Sequence, residues 1–223
     1  MAEKIIIIGN AIAAQIIFAL LKQDTTLDIV AFSVNATYIR DNILCGKPVY
    51  ALETLSEKYA PDQYQLINAI GYSNLNKNRE STFLEAKKQG FKFKNYIHPT
   101  AVILSEIVGE GVFIMPGAVI EPFSIIGANT VIWSNSVIAH HAFIQDHCWI
   151  ASGCVIAGEA QIGRNSFLGV NATVVNKVSV GEYNIIGAGT LIVKNTERKA
   201  VILARAGEQH RFDSENYAKF YDF

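Results

Sequence analysis

Histidine is the side chain of this sequence best suited to move a proton near neutral pH, and three of the chain's five histidines lie in one short stretch. Residues 133–150, WSNSVIAHHAFIQDHCWI, contain His140, His141 and His147 together with both tryptophans. Imidazole titrates at about pH 6.5, so it can act as a general base or serve as a metal ligand. The adjacent pair His140 and His141 is therefore the first candidate for catalytic chemistry.

The stretch that carries these histidines belongs to a six-residue repeat. Neither an amphipathic helix nor an alternating strand has this period, whereas a short strand followed by a sharp bend does. The recurring aliphatic residue would fill the interior, a small residue four positions later would fit beside it, and glycine would allow the bend. The repeat predicts a left-handed parallel β-helix with three hexads to a coil. The aliphatic positions are Val102, Val108, Ile114, Ile120, Ile126, Ile132, Ile138, Ile144, Ile150, Ile156, Ile162, Leu168, Val174, Val180, Ile186 and Ile192.

The residues before the repeat show a different pattern, in which apolar strand-like segments alternate with helix-like ones. KIIIIG at 4–9 is typical of a buried parallel strand. The alternation predicts a small Rossmann-like α/β domain. We therefore expect this α/β domain at 1–95, an all-β prism at 96–195, and a tail at 196–223 whose composition allows a short helix. The other predicted strands are 28–34 and 64–71, and the predicted helices are 11–23, 51–60 and 74–90.

Composition and charge narrow the class of protein. A net charge of −1 and a pI near 6.5 argue against a nucleic-acid-binding protein, which usually carries a basic face. No apolar run approaches the roughly 18 residues of a transmembrane helix, and the N-terminus lacks the features of a signal peptide. We therefore expect a cytoplasmic protein with no membrane or nucleic-acid partner. Cys45, Cys148 and Cys154 would then be reduced, and we interpret all three as small buried hydrophobic residues.

Segments spread over nearly the whole chain carry a family resemblance. They are KIIIIG at the start, NAIGYSNLNKNR after the third predicted strand, IHPTAVI at the joint, and SVIAHHAFI, FLGVNATVV and IIGAGTLIVKN in the prism. With them the chain resembles the sugar acyltransferases of the NeuD/PglD type, which acetylate amino groups or hydroxyls of bacterial sugars. The resemblance implies acetyl-coenzyme A as co-substrate without a metal, a sugar or nucleotide-sugar acceptor, and a homotrimer with active sites between neighbouring subunits. It also implies a place in surface-polysaccharide or lipopolysaccharide assembly.

The resemblance assigns roles within the prism. The segment SVIAHH places the family's catalytic histidine at His140, which would deprotonate the attacking amine or hydroxyl. The glycine of VIAG, Gly158, would stabilise the oxyanion through its backbone N–H. Backbone contacts to the pantetheine arm of coenzyme A would come from a further set, namely Val170, Asn171, Gly187 and Ala188.

Three residues around His140 depart from the family's pattern. His141 stands where the family commonly has an acidic residue, so we interpret it as an orienting partner or a substitute base. Trp149 replaces a histidine expected near the acetyl group, and Trp133 replaces an asparagine. We predict that Trp149 contacts the cofactor acetyl-coenzyme A and that Trp133 lines the acceptor site. Packing of both tryptophans in the trimer interface is the alternative.

The predicted α/β domain departs further from the family. Its first turn reads GNAIAAQ, in which Gly9 is the only glycine, so a glycine-rich phosphate cradle is not predicted. After the second strand, SVNAT lacks the acidic residues that relatives often place against the nucleotide. We expect contacts to the acceptor from Gly9, Asn10, Ser33 and Asn35.

The remaining histidines have structural interpretations. We expect His147 to be structural and His98, in IHPT, to cap or pack, while His210 lies in the tail without an assigned role. The γ-class carbonic anhydrases bind zinc through three histidines on a similar prism. The histidine spacing of this chain does not match theirs, so a zinc site is not predicted.

Two classes of function remain open. The first is an enzyme that transfers an acetyl group from acetyl-coenzyme A to the amine of a nucleotide-linked amino sugar by direct attack, with His140 as general base. O-acetylation of a sugar of the sialic-acid type would use the same base. The second is a catalytically inactive binding relative, which the missing acidic partner and the eroded glycine loop favour.

Overall fold

The structure of the chain, a computed structural model, describes residues 2–107 and 109–221, with backbone alone for residues 220 and 221. Val108, one of the predicted aliphatic positions of the repeat, lies outside the described residues. The described part consists of an α/β domain, a three-sided β prism and a C-terminal segment that contains helix α4 (Ser214–Tyr221).

The α/β domain is built around strand β1, in which Ile5, Ile6, Ile7 and Ile8 are completely buried. A strand buried on both faces is the expected centre of a parallel sheet that helices cover. The strand order is β3-β4-β2-β1-β5-β6, and every pairing is parallel except that of β3 with β4. The elements are β1 (Glu3–Ile8), α1 (Ile12–Leu21), β2 (Leu27–Val34), a 3₁₀ turn (Ala36–Tyr38), β3 (Ile43–Leu44), β4 (Lys47–Ala51), α2 (Leu55–Lys58), β5 (Gln65–Asn68), α3 (Lys77–Lys88) and β6 (Lys92–Phe93).

Strand β4 is absent from the elements that the sequence predicts. Val49 pairs with Phe32 of β2, and the strand ends at Ala51, where a helix over 51–60 is predicted. Helix α2 therefore begins only at Leu55. Pro48 conceals the strand in the sequence, because proline is unusual within a sheet away from its edges.

The prism is made of two-residue strands in three parallel sheets, which form its faces. Ile120 pairs with Ile138, three hexads further along the chain, so three hexads make one coil as predicted. The valine face contains β8 (Val102–Ile103), β10 (Val119–Ile120), β13 (Val137–Ile138), β16 (Val155–Ile156), β19 (Thr173–Val174) and β22 (Leu191–Ile192). The mixed face contains β11 (Ile125–Ile126), β14 (Phe143–Ile144), β17 (Gln161–Ile162) and β20 (Ser179–Val180). The domain face, which packs on the α/β domain, contains β7 (Tyr96–Ile97), β9 (Phe113–Ile114), β12 (Val131–Ile132), β15 (Trp149–Ile150), β18 (Phe167–Leu168), β21 (Ile185–Ile186) and β23 (Val201–Ile202).

The interior of the prism follows the predicted repeat from Ile114 to Ile192, where the aliphatic positions are all buried. The first coil does not follow it. Ile103 pairs with Ile120 and packs against the core, whereas Val102 is 47% exposed. The prediction of an unbroken repeat from Val102 is therefore wrong by one residue. The sequence conceals this shift, because both neighbouring residues are aliphatic and either would suit the interior.

The bends of the prism depend on left-handed backbone rather than on glycine alone. The residue three positions after an interior aliphatic residue repeatedly has a positive φ, as at Asn135, His141 and Asn171. The glycines that directly follow interior residues serve another purpose. A Cβ on Gly163 would lie 2.5 Å from the backbone nitrogen of Glu182 in the next coil, so glycine is required there for close coil stacking.

Two of the three cysteines lie where the sequence predicts. Cys148 and Cys154 are fully buried small residues of the prism core, and burial raises the pKa of their thiols to about 12 and about 11 respectively. Cys45 contradicts the prediction, because it is exposed and has a left-handed φ of 49° beside β3. Its place in a turn could not be inferred from residue type.

The α/β domain and the prism share a hydrophobic cluster. Phe113, Val131 and Trp149, at the outward positions of the domain face, belong to the same cluster as Ile5 and Phe32 of the central sheet. This packing fixes which face of the prism the α/β domain covers. None of the helices in the described ranges is long and apolar enough to span a bilayer.

Candidate active site

His140 lies at a corner of the prism, just after strand β13, between the valine and mixed faces. We call this the His140 corner; it comprises residues 122–123, 140–141, 158–159 and 176–177. The fully buried Ile138 anchors the turn, and the His140 side chain is exposed. The His140 N–H donates to the Glu121 carboxylate at 2.8 Å, and its carbonyl accepts from the Glu159 N–H at 3.0 Å. The backbone of His140 is thus fixed by residues of the coils on both sides.

The imidazoles of His140 and His141 form a pair. Their Nδ1 atoms are 3.2 Å apart, and the ring planes meet at 82°. His141 occupies the left-handed position of the corner with a φ of 57°, and its ring lies 4.9 Å from that of Phe123. A hydrogen bond between two Nδ1 atoms needs one proton, so one ring donates and the other accepts.

Gly158 lies directly against the His140 ring in the next coil. A Cβ at this position would be 2.5 Å from Cε1 and 2.6 Å from Nε2 of the imidazole. The Gly158 N–H has no hydrogen-bond partner among the described residues, and its carbonyl accepts from the Lys177 N–H at 3.1 Å. The structure therefore brings together a ring with two nitrogens and an unused backbone donor, as the resemblance implies for His140 and Gly158.

Two acidic residues near His140 are missing from the sequence-based site. Glu121 contacts the His140 backbone, and Glu159 sits one coil beyond His141, with its carboxylate 3.6 Å from the Lys177 ammonium. The signal that could have identified both is the coil period, because residues three hexads apart stack on one another.

The residues predicted to hold coenzyme A lie at another corner. This Asn171 corner, between the domain and valine faces, comprises residues 134–135, 152–153, 170–171 and 188–189. Val170 is 49% exposed, and the Asn171 N–H donates to the Ser152 carbonyl at 3.0 Å. Ala188 is exposed, and Gly187 passes close to Leu203. Within one chain the valine face separates this set from His140.

Neither tryptophan lies at the His140 corner. Trp149 is 7% exposed on the domain face and packs against Tyr72 at 5.3 Å and Trp133 at 5.5 Å between ring centroids. Trp149 therefore lies in a contact between the two domains of one chain. Neither sequence-based interpretation, contact with the cofactor or packing between subunits, predicts this contact. Trp133 is half-buried, and its indole N–H has no partner among the described residues.

A cavity of about 480 Å³ lies at the carboxyl ends of β1, β2 and β5. Ligands of open α/β sheets bind at this edge of the strands. Three of the predicted acceptor contacts, Gly9, Asn10 and Asn35, line it, whereas Ser33 is fully buried and does not. The lining residues that sequence reasoning missed include Tyr38, Arg40, Ser73, Asn78, Ser81 and Thr82.

Hydrogen bonds orient Asn10 and Asn35, the two predicted asparagines of this cavity. The Asn10 amide donates to the Tyr38 carbonyl at 2.7 Å, and the Asn35 amide donates to Glu53 and Glu85 at 3.1 and 3.0 Å. Their side-chain oxygens accept no hydrogen bond from the described residues and remain available to a ligand. Arg40 adds an exposed cation to the rim.

The other histidines have local partners. His98 accepts from the Thr100 N–H at 3.2 Å, and His147, which is 5% exposed, bonds the Asn129 amide at 2.9 Å. Burial lowers the pKa of His147, and the nearby Glu80 carboxylate opposes this shift. Over the described ranges no group of three His, Cys, Asp or Glu side chains is placed to hold a metal ion.

Comparisons with known proteins agree with this architecture. The model of the family "Bacterial transferase hexapeptide (six repeats)" matches residues 107–140, 141–176 and 159–194. The structure is similar to PerB from Caulobacter crescentus in complex with CoA and GDP-perosamine, with a TM-score of 0.79 and 28% identity over 90% of this chain and 94% of that one. It has the same fold as the acetyltransferase domain of PglB from Neisseria gonorrhoeae in complex with acetyl coenzyme A, with a TM-score of 0.81 and 21% identity over 94% of this chain and 100% of that one.

A shorter match involves a larger protein. The bifunctional protein GlmU of Streptococcus gordonii is 36% identical over 58 residues, which are 26% of this chain and 12% of that protein. The chain thus matches only a small part of these curated relatives.

The repeat match and the whole-chain likeness show that the chain resembles the hexapeptide-repeat acyltransferases. The resemblance to the NeuD/PglD type that the sequence predicts is thereby confirmed.

Proposed function

We propose that this chain transfers the acetyl group of acetyl-coenzyme A to the amino group of a nucleotide-linked sugar in bacterial surface-polysaccharide assembly. The observation that carries the proposal is the contact of the exposed His140 ring with Gly158, whose N–H is unused. The cavity in the α/β domain offers a separate place for the acceptor's nucleotide. PerB, which is similar over most of its length, was crystallised with CoA and GDP-perosamine.

The proposed reaction is a direct attack. The acceptor nitrogen adds to the thioester carbon while His140 takes a proton from that nitrogen, which makes the amine a better nucleophile. The carbonyl oxygen becomes an oxyanion that the Gly158 N–H stabilises. The C–S bond then breaks, coenzyme A leaves as the thiol after accepting a proton, and the amide product remains. No covalent intermediate on the protein is required.

His141 would set the tautomer of His140. When His140 donates its Nδ1–H to Nδ1 of His141, the lone pair at Nε2 of His140 is free to accept the proton of the substrate. In the opposite arrangement Nε2 carries the proton and cannot act as a base. We therefore assign His141 as an acceptor that orients His140, in the place where the family commonly has a carboxylate.

The coenzyme A site would be completed by a second subunit. The Asn171 corner, with Gly187 and Ala188 nearby, and the His140 corner are separated within one chain, so a homotrimer that juxtaposes corners of neighbouring subunits would bring them together. The exposed aliphatic side chains of the valine face support such an interface, since Val155 is 39% and Leu191 60% exposed. Trp149 is not part of this proposed site, because it is buried between the domains.

The acceptor site would lie in the Rossmann-like domain, which we place at 1–95, before the prism at 96–195 and the tail at 196–223. Gly9, Asn10 and Asn35 would contact the nucleotide, and Arg40 would face its diphosphate. Ser33 is left out because it is buried behind the strand end. Trp133, half-buried on the prism, stays a candidate contact for the sugar.

Acetyl transfer can be measured as release of the coenzyme A thiol with a panel of nucleotide-linked amino sugars. We expect turnover with at least one member and a loss of about 10²- to 10⁴-fold for His140→Ala, the usual contribution of a general base. His210→Ala in the tail is the control and should retain the wild-type rate. Full activity of His140→Ala would contradict the mechanism, and turnover only with hydroxyl acceptors would replace N- by O-acetylation.

A further inference from the structure

Residues 70–76 join β5 to α3 and contact both domains; we call them the Tyr72 loop. Ile70, Gly71 and Ser73 line the cavity proposed for the acceptor. Tyr72 is not one of the residues that line the cavity, and its ring centroid lies 5.3 Å from that of Trp149 and 4.6 Å from that of Phe167 on the domain face. One short loop therefore forms a wall of the cavity and packs on the prism.

The end of the loop is bonded to the prism by Asn76. This residue is completely buried, and its amide donates to the carbonyls of Asn165 and Ser166 at 3.1 and 3.2 Å. These carbonyls belong to a corner of the prism far away in the sequence. A buried amide that bonds two backbone groups of another domain fixes the position of its own backbone.

The start of the loop is bonded to the prism through Arg79 of α3. Its guanidinium donates to the Ile70 carbonyl at 2.6 Å and to the carbonyl and side-chain oxygen of Asn129, both at 3.0 Å. Arg79 is 1% exposed and has no carboxylate partner among the described residues. Burial lowers its pKa to about 9, so it remains protonated at neutral pH. Burying a cation without a counter-ion costs free energy of folding, so stability does not explain Arg79. This points to a role in positioning the loop.

The backbone of the loop would not adopt this shape unaided. Asn74, Leu75 and Asn76 follow one another with φ values of 53°, 52° and 58°. Asparagine tolerates the left-handed region, but leucine rarely occupies it. Strained segments of this kind persist when the surrounding structure fixes them, and they are frequent at binding sites.

We propose that the prism sets the shape of the acceptor cavity, with Asn76 and Arg79 as positioning residues that hold the Tyr72 loop in its binding-competent form. The inference rests on the proposed function, because it assumes that the acceptor's nucleotide occupies this cavity. Releasing the loop lowers the fraction of competent protein and weakens acceptor binding by the same factor. The His140 corner is not touched by either residue, so catalysis on bound substrates is unaffected.

The sharpest test replaces Asn76 by glycine. Glycine accepts the left-handed φ, so Asn76→Gly removes the two bonds to the prism without adding backbone strain. Lys199→Gly is the control, because Lys199 also has a left-handed φ, of 65°, and its exposed side chain lies outside the cavity and the Tyr72 loop. We expect the KM for the acceptor to rise about tenfold or more in Asn76→Gly, with kcat and the KM for acetyl-coenzyme A within about twofold of wild type. Lys199→Gly should change none of these values more than about twofold.

Titration calorimetry with UDP and GDP provides a measurement that needs no identified sugar. If the wild type binds one of them and Asn76→Gly binds it about tenfold more weakly, the inference is supported. If both proteins bind it equally, the inference is wrong while the proposed function stands. If the wild type binds neither and no nucleotide sugar is acetylated, the proposed acceptor is wrong and the inference falls with it.

A second pair of variants covers the case in which Asn76→Gly does not fold. Tyr72 is 52% exposed, so its replacement is tolerated more easily. Tyr72→Leu removes the ring contacts with Trp149 and Phe167, whereas Tyr72→Phe retains them. We expect weaker nucleotide binding only for Tyr72→Leu, and equal binding by both variants would overturn the inference.

Discussion

At the residue scale, the position of His140 depends on a glycine one coil away. The imidazole lies where any side chain on Gly158 would be, so the absence of a Cβ there is what lets the ring approach the unused N–H. Glycines elsewhere in the prism instead make room for backbone, as Gly163 does for Glu182. We therefore expect replacement by alanine to have different consequences at the two kinds of glycine.

Gly158→Ala should reduce activity without unfolding the prism. The three atoms nearest to the new methyl group would all belong to the His140 side chain, which can rotate away, so we expect a loss of kcat of about 10²-fold or more with little change in Tm. Gly163→Ala places its methyl group against backbone and should lower Tm markedly. Thermal melts and thiol-release rates on both variants check this prediction; equal loss of Tm in the two would contradict it.

His147 should make the chain less stable in acid. Because burial lowers its pKa, the folded chain binds fewer protons than the unfolded chain below about pH 6.5, so the free energy of unfolding falls as the pH is lowered through that range. Asparagine tolerates the φ of 60° at this position and can accept from Asn129 through its side-chain oxygen. We expect His147→Asn to reduce the pH dependence between pH 7.5 and 5, by at most about 1.4 kcal/mol per pH unit. Urea unfolding measures this, and His210→Asn should behave as wild type.

At the element scale, the stacked two-residue strands depend on their inward residues. Ile138 is fully buried in the prism core, while its neighbour Val137 faces outward and is half-buried. We expect Ile138→Ala to lower the free energy of unfolding by about 2–5 kcal/mol, the range for large core truncations. Val137→Ala should cost clearly less if the chain is studied as a monomer. Denaturant titrations of both variants test the assignment of inside and outside.

This alternation of inward and outward residues explains how much of the prism can be predicted from the sequence. A period of six fixes the inward residues from Ile114 to Ile192, because burial selects one residue type at one phase. It cannot fix the first coil, where Val102 and Ile103 are equally apolar. In the α/β domain, strand β4 could not be predicted either, because its pairing with β2 is a long-range contact and Pro48 is atypical of a strand.

The candidate site was predictable where it lies on the repeat and unpredictable where it depends on folding. His140 and Gly158 are three hexads apart, so their contact follows from the coil period. Arg40 and Ser73 meet at one cavity only because β2 and β5 flank β1 in the sheet. The contact of Trp149 with Tyr72 was unpredictable because Tyr72 belongs to the other domain, and no local pattern encodes such a contact.

At the scale of the whole molecule, the exposed valine face predicts association between copies of the chain. Val155→Glu would place a charge on that face, whereas Gln161→Glu places one on the exposed mixed face. We expect light scattering to show trimers for the wild type and Gln161→Glu, and smaller species for Val155→Glu. Because the two corners of the proposed site would then separate, Val155→Glu should also lose acetyl transfer. Trimers of undiminished activity in Val155→Glu would place the interface elsewhere.

The hydrogen bonds that pair the strands of the prism run between successive coils, as from the Ala139 N–H to the Ile156 carbonyl and from the Ala157 N–H to the Val174 carbonyl. Such a stack behaves as a one-dimensional chain of coupled units, in which opening begins at the ends and each inner unit is protected by two neighbours. The coils that hold His140 and Gly158 are inner ones. Their amides should therefore exchange with solvent deuterium more slowly than those of the terminal strands β8 and β23, so the reaction would take place in the part of the stack that opens last.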